Sequence, residues 1–214
     1  MKLVDFHTHN PAPSVINFFI EKLNDIKTSD YFFLGIHPWD IDISQIDKQK
    51  ELLLQKLEEH HSNKKFLGLG EFGLDRNIET SLKMQQDLFN YHLELAKKYN
   101  IKLIVLHNVK TYSDTLKLLT KFNYKGKVIL HDYYKNLNIL NQYKSHFETF
   151  ISLGERGLNS NYLKDYPLNS ILLETDDSSR SIQYIYDLAQ KKLEMGSEEL
   201  IKLMHKRLQD DFLS

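Results

Sequence analysis

The chain has 214 residues, with 28 Lys and Arg against 29 Asp and Glu, ten His and no Cys. A formal net charge of −1 counts against the broad basic surface that holds duplex nucleic acid, so any polyanion contact must be local. The lack of cysteine excludes a disulfide framework, a thiolate nucleophile and any Cys-ligated zinc or iron–sulfur site, leaving histidine and carboxylates as the strong metal ligands.

No run approaches the roughly 18 apolar residues of a membrane span. Met1-Lys2 is followed by too few apolar residues for a signal segment. The expectation is a cytoplasmic protein with no membrane contact, formed as one domain over residues 1–214; its oligomeric state is left open.

Lys2 to His7 is a short apolar run that continues to a second histidine at His9. In an extended strand, side chains at i and i+2 leave the same face close enough to converge on one metal ion. From Ser14 to Lys27, Ile16, Phe19, Ile20, Leu23 and Ile26 keep helical spacing behind Pro13 and Ser14, which predicts a helix. Tyr31 to Ile36 reads as a buried strand that runs into His37-Pro38. Ser44 and Asp47 read as a capping box opening a helix to about Glu59.

Lys65 to Glu71 is the next strand, with a carboxylate at its end. An amphipathic helix spans Ser81 to Tyr99, and His92 near its apolar stripe reads as a packing histidine. Lys102 to His107 and Lys127 to His131 are strands closed by histidine, and between them Thr111 and Asp114 cap a helix to about Phe122. A helical stretch around Leu137 to Tyr143 leads to strands at Phe147–Leu153 and Ser170–Glu174, the latter running into Thr175-Asp176-Asp177. Two helices follow from Ser181, the second starting near Ser197.

Alternating short strands and amphipathic helices predict an α/β fold with a parallel sheet inside and helices outside. About seven strands are counted where a closed TIM-type barrel needs eight, so the barrel is expected to be incomplete or distorted, or one strand to be disguised. In such a barrel all strands present their C-terminal ends at one rim. That rim would gather His7, His9, Glu71, His107, His131 and Asp176. Six candidate ligands exceed the needs of one catalytic zinc, and a central carboxylate suits bridging two ions, so a two-metal centre is expected.

The segments Asp5-Phe6-His7-Thr8-His9, Gly35-Ile36-His37-Pro38, Gly70-Glu71-Phe72-Gly73-Leu74-Asp75, the histidines His107 and His131, and Leu172-Leu173-Glu174-Thr175-Asp176 stand in this order over nearly the whole chain. In this the sequence resembles the TatD family of metal-dependent deoxyribonucleases. The resemblance implies that His7, His9 and Asp176 hold one divalent ion, that His107 and His131 hold the second, and that Glu71 bridges. It also implies that Asp176 orients or deprotonates the attacking water. Zinc, magnesium or manganese would serve. His37 is part of the family motif and is read as a rim or supporting residue, because Pro38 fixes a turn beside it.

The chain departs from the family between the first histidine pair and Gly35, where one helix is expected in place of a full strand–helix unit. It also carries Val109 in place of the arginine common in relatives, and Asp132-Tyr133-Tyr134-Lys135 after His131. Arg76, Lys110, Lys135, Arg156 and Arg180 each follow a strand end and are candidate substrate-binding cations, with His37 beside them. Tyr112, Tyr133 and Tyr134 are candidates for stacking on a base or for core packing. The expected function is a two-metal phosphodiesterase acting on DNA ends or short single strands. The alternatives are a hydrolase of a small phosphoester, lactone or amide, and a non-catalytic metal- or partner-binding protein.

Overall fold

The structure is a computed structural model that describes residues 1–23, 26 and 30–213. Eight strands hydrogen-bond in sequence order: β1 (Val4–Thr8), β2 (Ile16–Glu21), β3 (Tyr31–Leu34), β4 (Phe66–Asp75), β5 (Leu103–Val109), β6 (Lys127–Leu130), β7 (Glu148–Leu153) and β8 (Ile171–Leu173). Every neighbouring pair is parallel. Beyond β8, Asp176 N–H donates to the His7 carbonyl at 2.9 Å and His9 N–H donates to the Asp176 carbonyl at 3.1 Å. The sheet thereby curls back on its first strand as a nearly closed TIM-type barrel.

The eighth strand is β2, which stands where the spacing predicts a helix. Residues 24, 25 and 27 of that expected helix lie outside the described residues. The reason for the difference is burial on both faces: Asn17, Phe18, Phe19 and Ile20 are all buried between β1 and β3. A short run that is largely apolar matches helical and strand spacing alike. Asn17 also fixes the incoming loop, with its amide bonded to both the N–H and the carbonyl of Ala12 at 3.2 and 3.0 Å. Residues 9–15 alone return the chain from β1 to β2. An extended chain reaches at most about 3.3–3.6 Å per residue, which suffices only because β1 is short.

The remaining connections carry helices: α1 (Ile46–His60), α2 (Leu82–Lys98), α3 (Tyr112–Phe122), α4 (Leu137–Lys144) and the single turn α5 (Glu155–Leu158), followed after β8 by α6 (Ile182–Leu193) and α7 (Ser197–Arg207). Two starts differ from the capping boxes expected. Ser44 Oγ donates to Asp42 at 2.7 Å and caps nothing. Thr111 Oγ1 is drawn away from α3 to the Leu74 carbonyl, also at 2.7 Å. Ser81 does cap α2, accepting from Met84 N–H.

His92 of α2 is fully buried and stacked on Phe72. Its Nε2 accepts from Ile36 N–H at 3.1 Å, so its single proton sits on Nδ1 and is donated to the Leu88 carbonyl. Burial pushes its pKa down to about 4. It is a packing residue that ties α2 to the segment leading into His37.

The C-terminal turn Leu208–Phe212 closes the opposite end of the barrel. Phe212 packs on Phe6 of β1, Phe18 of β2 and Phe150 of β7, with ring centroids 5.6, 5.5 and 5.1 Å away. Lys127, the first residue of β6, donates to the Asp211 carbonyl at 2.6 Å. No helix among the described residues is long and apolar enough to cross a membrane.

Candidate metal centre

All six predicted ligands meet at the C-terminal mouth, but three of them do not lie past a strand end, His7 being the fourth residue of β1. β4 runs on to Asp75, so Glu71 sits inside it, and His107 is likewise inside β5. The glycines of the β4 motif allow this. A side chain at Gly73 would run into the His107 carbonyl, and one at Gly35 would meet the Glu71 carbonyl at 2.9 Å. The backbones of β3, β4 and β5 therefore approach closely beneath the ligand side chains.

Glu71 is the hub, 2 % exposed, and its two oxygens face different partners. Oε2 lies 3.2 Å from His7 Nε2 and 3.4 Å from His9 Nε2. Oε1 lies 2.6 Å from His131 Nε2, 2.7 Å from His107 Nδ1 and 3.2 Å from His37 Nε2. Asp176 Oδ1 completes the first group, 3.4 Å from His7 Nε2 and 3.5 Å from His9 Nε2. Two sets could each hold a cation, His7, Glu71, His131 and Asp176 on one side and His37, Glu71 and His107 on the other.

Of the two places expected for His37, at the rim or in support of the ligands, the ring takes one against the ligands. Pro38 does fix a turn, Pro38–Asp40, but His37 caps that turn through Nδ1 and so aims Nε2 inward, 3.1 Å from His107 Nδ1. The turn delivers the ring instead of keeping it out.

The donor set suits a cation on its own chemistry. His7 Nε2 is fully buried and has no hydrogen-bond partner, although two carboxylate oxygens lie within 3.4 Å of it. Burial pushes the Glu71 carboxyl up, but the charge of His131 and hydrogen bonds from His107, His131 and His37 outweigh it and hold it well below the usual range. Asp176 is lowered in the same way, burial being outweighed by His7 and His131. Burial pushes His7 down, but Asp176 and Glu71 raise it well above the ordinary histidine value. Two ionised carboxylates among these imidazoles form a site that takes up positive charge. Mixed imidazole and carboxylate ligands suit divalent transition metals.

Several supporting residues have no role in the sequence reading. Asp75 Oδ2 lies 3.3 Å from His107 Nε2 and accepts from Trp39 Nε1 at 2.7 Å. Such a carboxylate behind a ligand histidine fixes the ring's orientation. Asp5 accepts from Thr175 N–H and Thr175 Oγ1 at 3.1 and 2.7 Å, joining β1 to the segment that carries Asp176. Glu174 is fully buried, accepts from Asp132 N–H at 2.7 Å, and is pushed by burial to a pKa of about 7. The signal for Asp5 and Asp75 was present, since both lie in the quoted motifs at the spacing that repeats the strand's inward face.

The candidate substrate cations are engaged at the rim. Arg76 binds Asp114 at 2.8 Å and the Lys110 carbonyl at 3.1 Å. Arg156 pairs with Asp132 and lies over Tyr134, whose ring also carries Lys135 at 3.8 Å. Arg180 lies 3.8 Å from Glu155 and over Tyr184. Lys110 is exposed, with a φ of 58°. Tyr112 and Tyr133 are buried, which makes them packing residues, while Tyr134 is half-buried. A cavity of about 520 Å³ opens beside the cluster, walled by Ile20, Leu23, Ile36, Trp39 and Leu52.

Comparison with known proteins agrees with the fold. The chain is similar to a TatD homologue from Escherichia coli, with a TM-score of 0.80, 20% identity, and 99% of this chain and 98% of that one covered. It also matches a TatD family hydrolase from Entamoeba histolytica, with a TM-score of 0.76, 14% identity and coverage of 99% and 98%. These likenesses concern the fold.

In sequence it is 30% identical over 184 residues to an uncharacterized metal-dependent hydrolase of Buchnera aphidicola subsp. Acyrthosiphon pisum, covering 76% of this chain and 64% of the relative. A second such hydrolase, from Buchnera aphidicola subsp. Baizongia pistaciae, is 29% identical over 150 residues, covering 66% of this chain and 54% of the relative. The matches thus span only about 54 to 64% of these relatives' length. Residues 15–206, from just before β2 to the end of α7, match the family described as TatD related DNase, and the chain belongs to that family.

Proposed function

We propose that residues 1–214 form one domain, a metal-dependent hydrolase, and more narrowly a two-metal phosphodiesterase that cleaves DNA ends or short single strands. The observation that carries this reading is Glu71, whose two oxygens serve separate groups of histidines. His7, His9 and Asp176 would hold one ion and His107 the other, with Glu71 shared; His131 lies between the two groups and is assigned to the second because it meets the same Glu71 oxygen as His107. His37 joins the second group. Divalent ions bound here would supply a water of lowered pKa and stabilise charge on phosphoryl oxygens.

Glu71 is sealed from solvent, whereas the Asp176 side chain is 27% exposed. Asp176 is therefore the carboxylate of the cluster that can meet a water entering from the cavity and take its proton. Its ionised state, favoured by His7 and His131, lets it accept a hydrogen bond from that water and orient it. Asp75 and Asp5 hold His107 and the Asp176 segment in place.

A hydrolase of a small phosphoester, lactone or amide is the second reading. It is favoured by the pairing of Arg76, Arg156 and Arg180 with carboxylates, which reduces the net attraction of the rim for a long polyanion. The deciding experiment strips the protein of metal, restores magnesium, manganese or zinc, and follows release of nucleotides from single-stranded DNA beside Asp176→Asn. Metal-dependent release that is lost in the variant supports the nuclease. No release with ions shown to be bound transfers the site to the smaller substrates.

A further inference from the structure

Trp39 is 62% exposed, although it is the chain's single tryptophan and tryptophan is on average a highly buried residue. It is exposed without being loose. Its backbone N–H donates to His37 Nδ1 at 3.1 Å and its indole N–H donates to Asp75 at 2.7 Å. The ring stands edge-on to His37 and His107, with centroids 5.0 and 5.7 Å away. A flat ring is thus fixed by its polar edge at the wall of the cavity that also contains Glu71 and Asp176. Ile20, Leu23, Ile36 and Leu52 line that cavity too, and Lys22 stands at its rim.

We infer that Trp39 is a stacking platform for the base of the nucleotide whose phosphate lies at the metal centre. This deepens the phosphodiesterase reading and rests on it for the position of the phosphate. Tyr112 and Tyr133 cannot serve, being buried. Among the described residues lining the cavity, Trp39 is the only aromatic besides histidines. A ring already locked loses no rotamer freedom when a base stacks on it, and stacking tolerates any base because each has a π face. The cavity volume of about 520 Å³ is in the range that takes a ligand of nucleotide size.

With one tryptophan, intrinsic tryptophan emission reports Trp39 alone. Metal-loaded protein is titrated with thymidine 5′-monophosphate, with 2-deoxyribose 5-phosphate, which lacks the base, and with octyl phosphate, and each affinity is also measured by calorimetry. Saturable quenching by the nucleotide is expected, with the sugar phosphate binding about tenfold more weakly and leaving emission unchanged. Trp39→Ala should bring nucleotide affinity down to that of the sugar phosphate. Trp39→Phe keeps a ring but loses the bond to Asp75, and should retain most of the preference. Nucleotide binding without an emission change, equal affinity in Trp39→Ala, tighter binding of octyl phosphate, or no binding of any probe would each overturn the platform. Quenching by the nucleotide in a protein that cleaves no oligonucleotide would leave the platform standing and sink the nuclease reading.

Discussion

The two sides of the barrel supply the candidate metal centre by different means. From β4 onward each ligand strand is backed by a helix, as His107 is by α2 and α3, and buried residues such as Leu88, Leu93 and Leu119 provide the packing. From β1 to β3 the described residues contain no helix, and the loop of residues 9–15 carries the chain between neighbouring parallel strands. His7 and His9 are held there by the hydrogen bonds at the β1–β8 closure, by Asp5, and by Phe6 and Phe18 packed on Phe212. The β1–β2 connection of residues 9–15 is thus made without a helix, and strand pairing, the Phe212 contacts and the Tyr186 hydroxyl of α6 on the Val4 backbone hold the first strand.

The largest expected effect treats both sides alike. Glu71→Ala removes the carboxylate they share, so hydrolysis should fall to background while the circular dichroism spectrum and melting cooperativity stay native. Retained activity in a metal-saturated variant would refute the shared role.

Phe18→Ala tests whether the β1–β3 side is part of the same cooperative unit. Emptying a fully buried phenylalanine site should cost about 3–5 kcal/mol of global stability in denaturant unfolding. A separate early transition limited to β1–β3 amides in hydrogen exchange would instead divide the molecule.

On the helix-backed side, His92 should make stability depend on pH. It is held neutral with a pKa of about 4 against an ordinary value of 6.5. The unfolded chain therefore binds the extra proton first, so stability is fully present above pH 6.5 and declines as pH falls towards 4. The loss should approach roughly 3 kcal/mol. Chemical denaturation across that window measures it, and His92→Leu should flatten the profile.

The smallest effect sharpens the comparison within the site. Asp75→Asn should weaken metal binding by about 10- to 100-fold with little change in melting temperature, as read by titration of the stripped protein.

The parts legible in the sequence were those in which one residue type had to stand at one place. His7, His9, His107, His131 and Asp176 close runs too apolar to be loops, and the glycines around Glu71 mark a close approach of strands. β2 was not legible because Asn17 to Ile20 are all buried, and a run without a solvent-facing side carries no period. Ser44 and Thr111 satisfied the capping pattern, yet their hydroxyls found Asp42 and the Leu74 carbonyl, partners that only the folded chain supplies. The direction of the His37 ring was not legible, since Pro38 fixes a turn but does not say which way the ring before it points. Asp75 needed the β4–β5 register, which pairs it with Val109 and sets it beside His107.

The closure between β1 and the segment after β8 also sets a timetable. The bond from Thr175 to Asp5 spans 170 positions of the chain. Synthesis at about 5–20 residues per second leaves the first histidine pair without Asp176 for roughly ten seconds or more after it emerges. During that interval His7 and His9 are an open chelating arm that any available ion can visit and leave. Only the arrival of Asp176, and then of Phe212 at the far end, would turn that arm into a fixed site, so a metal held here would be selected only after β8 has been made.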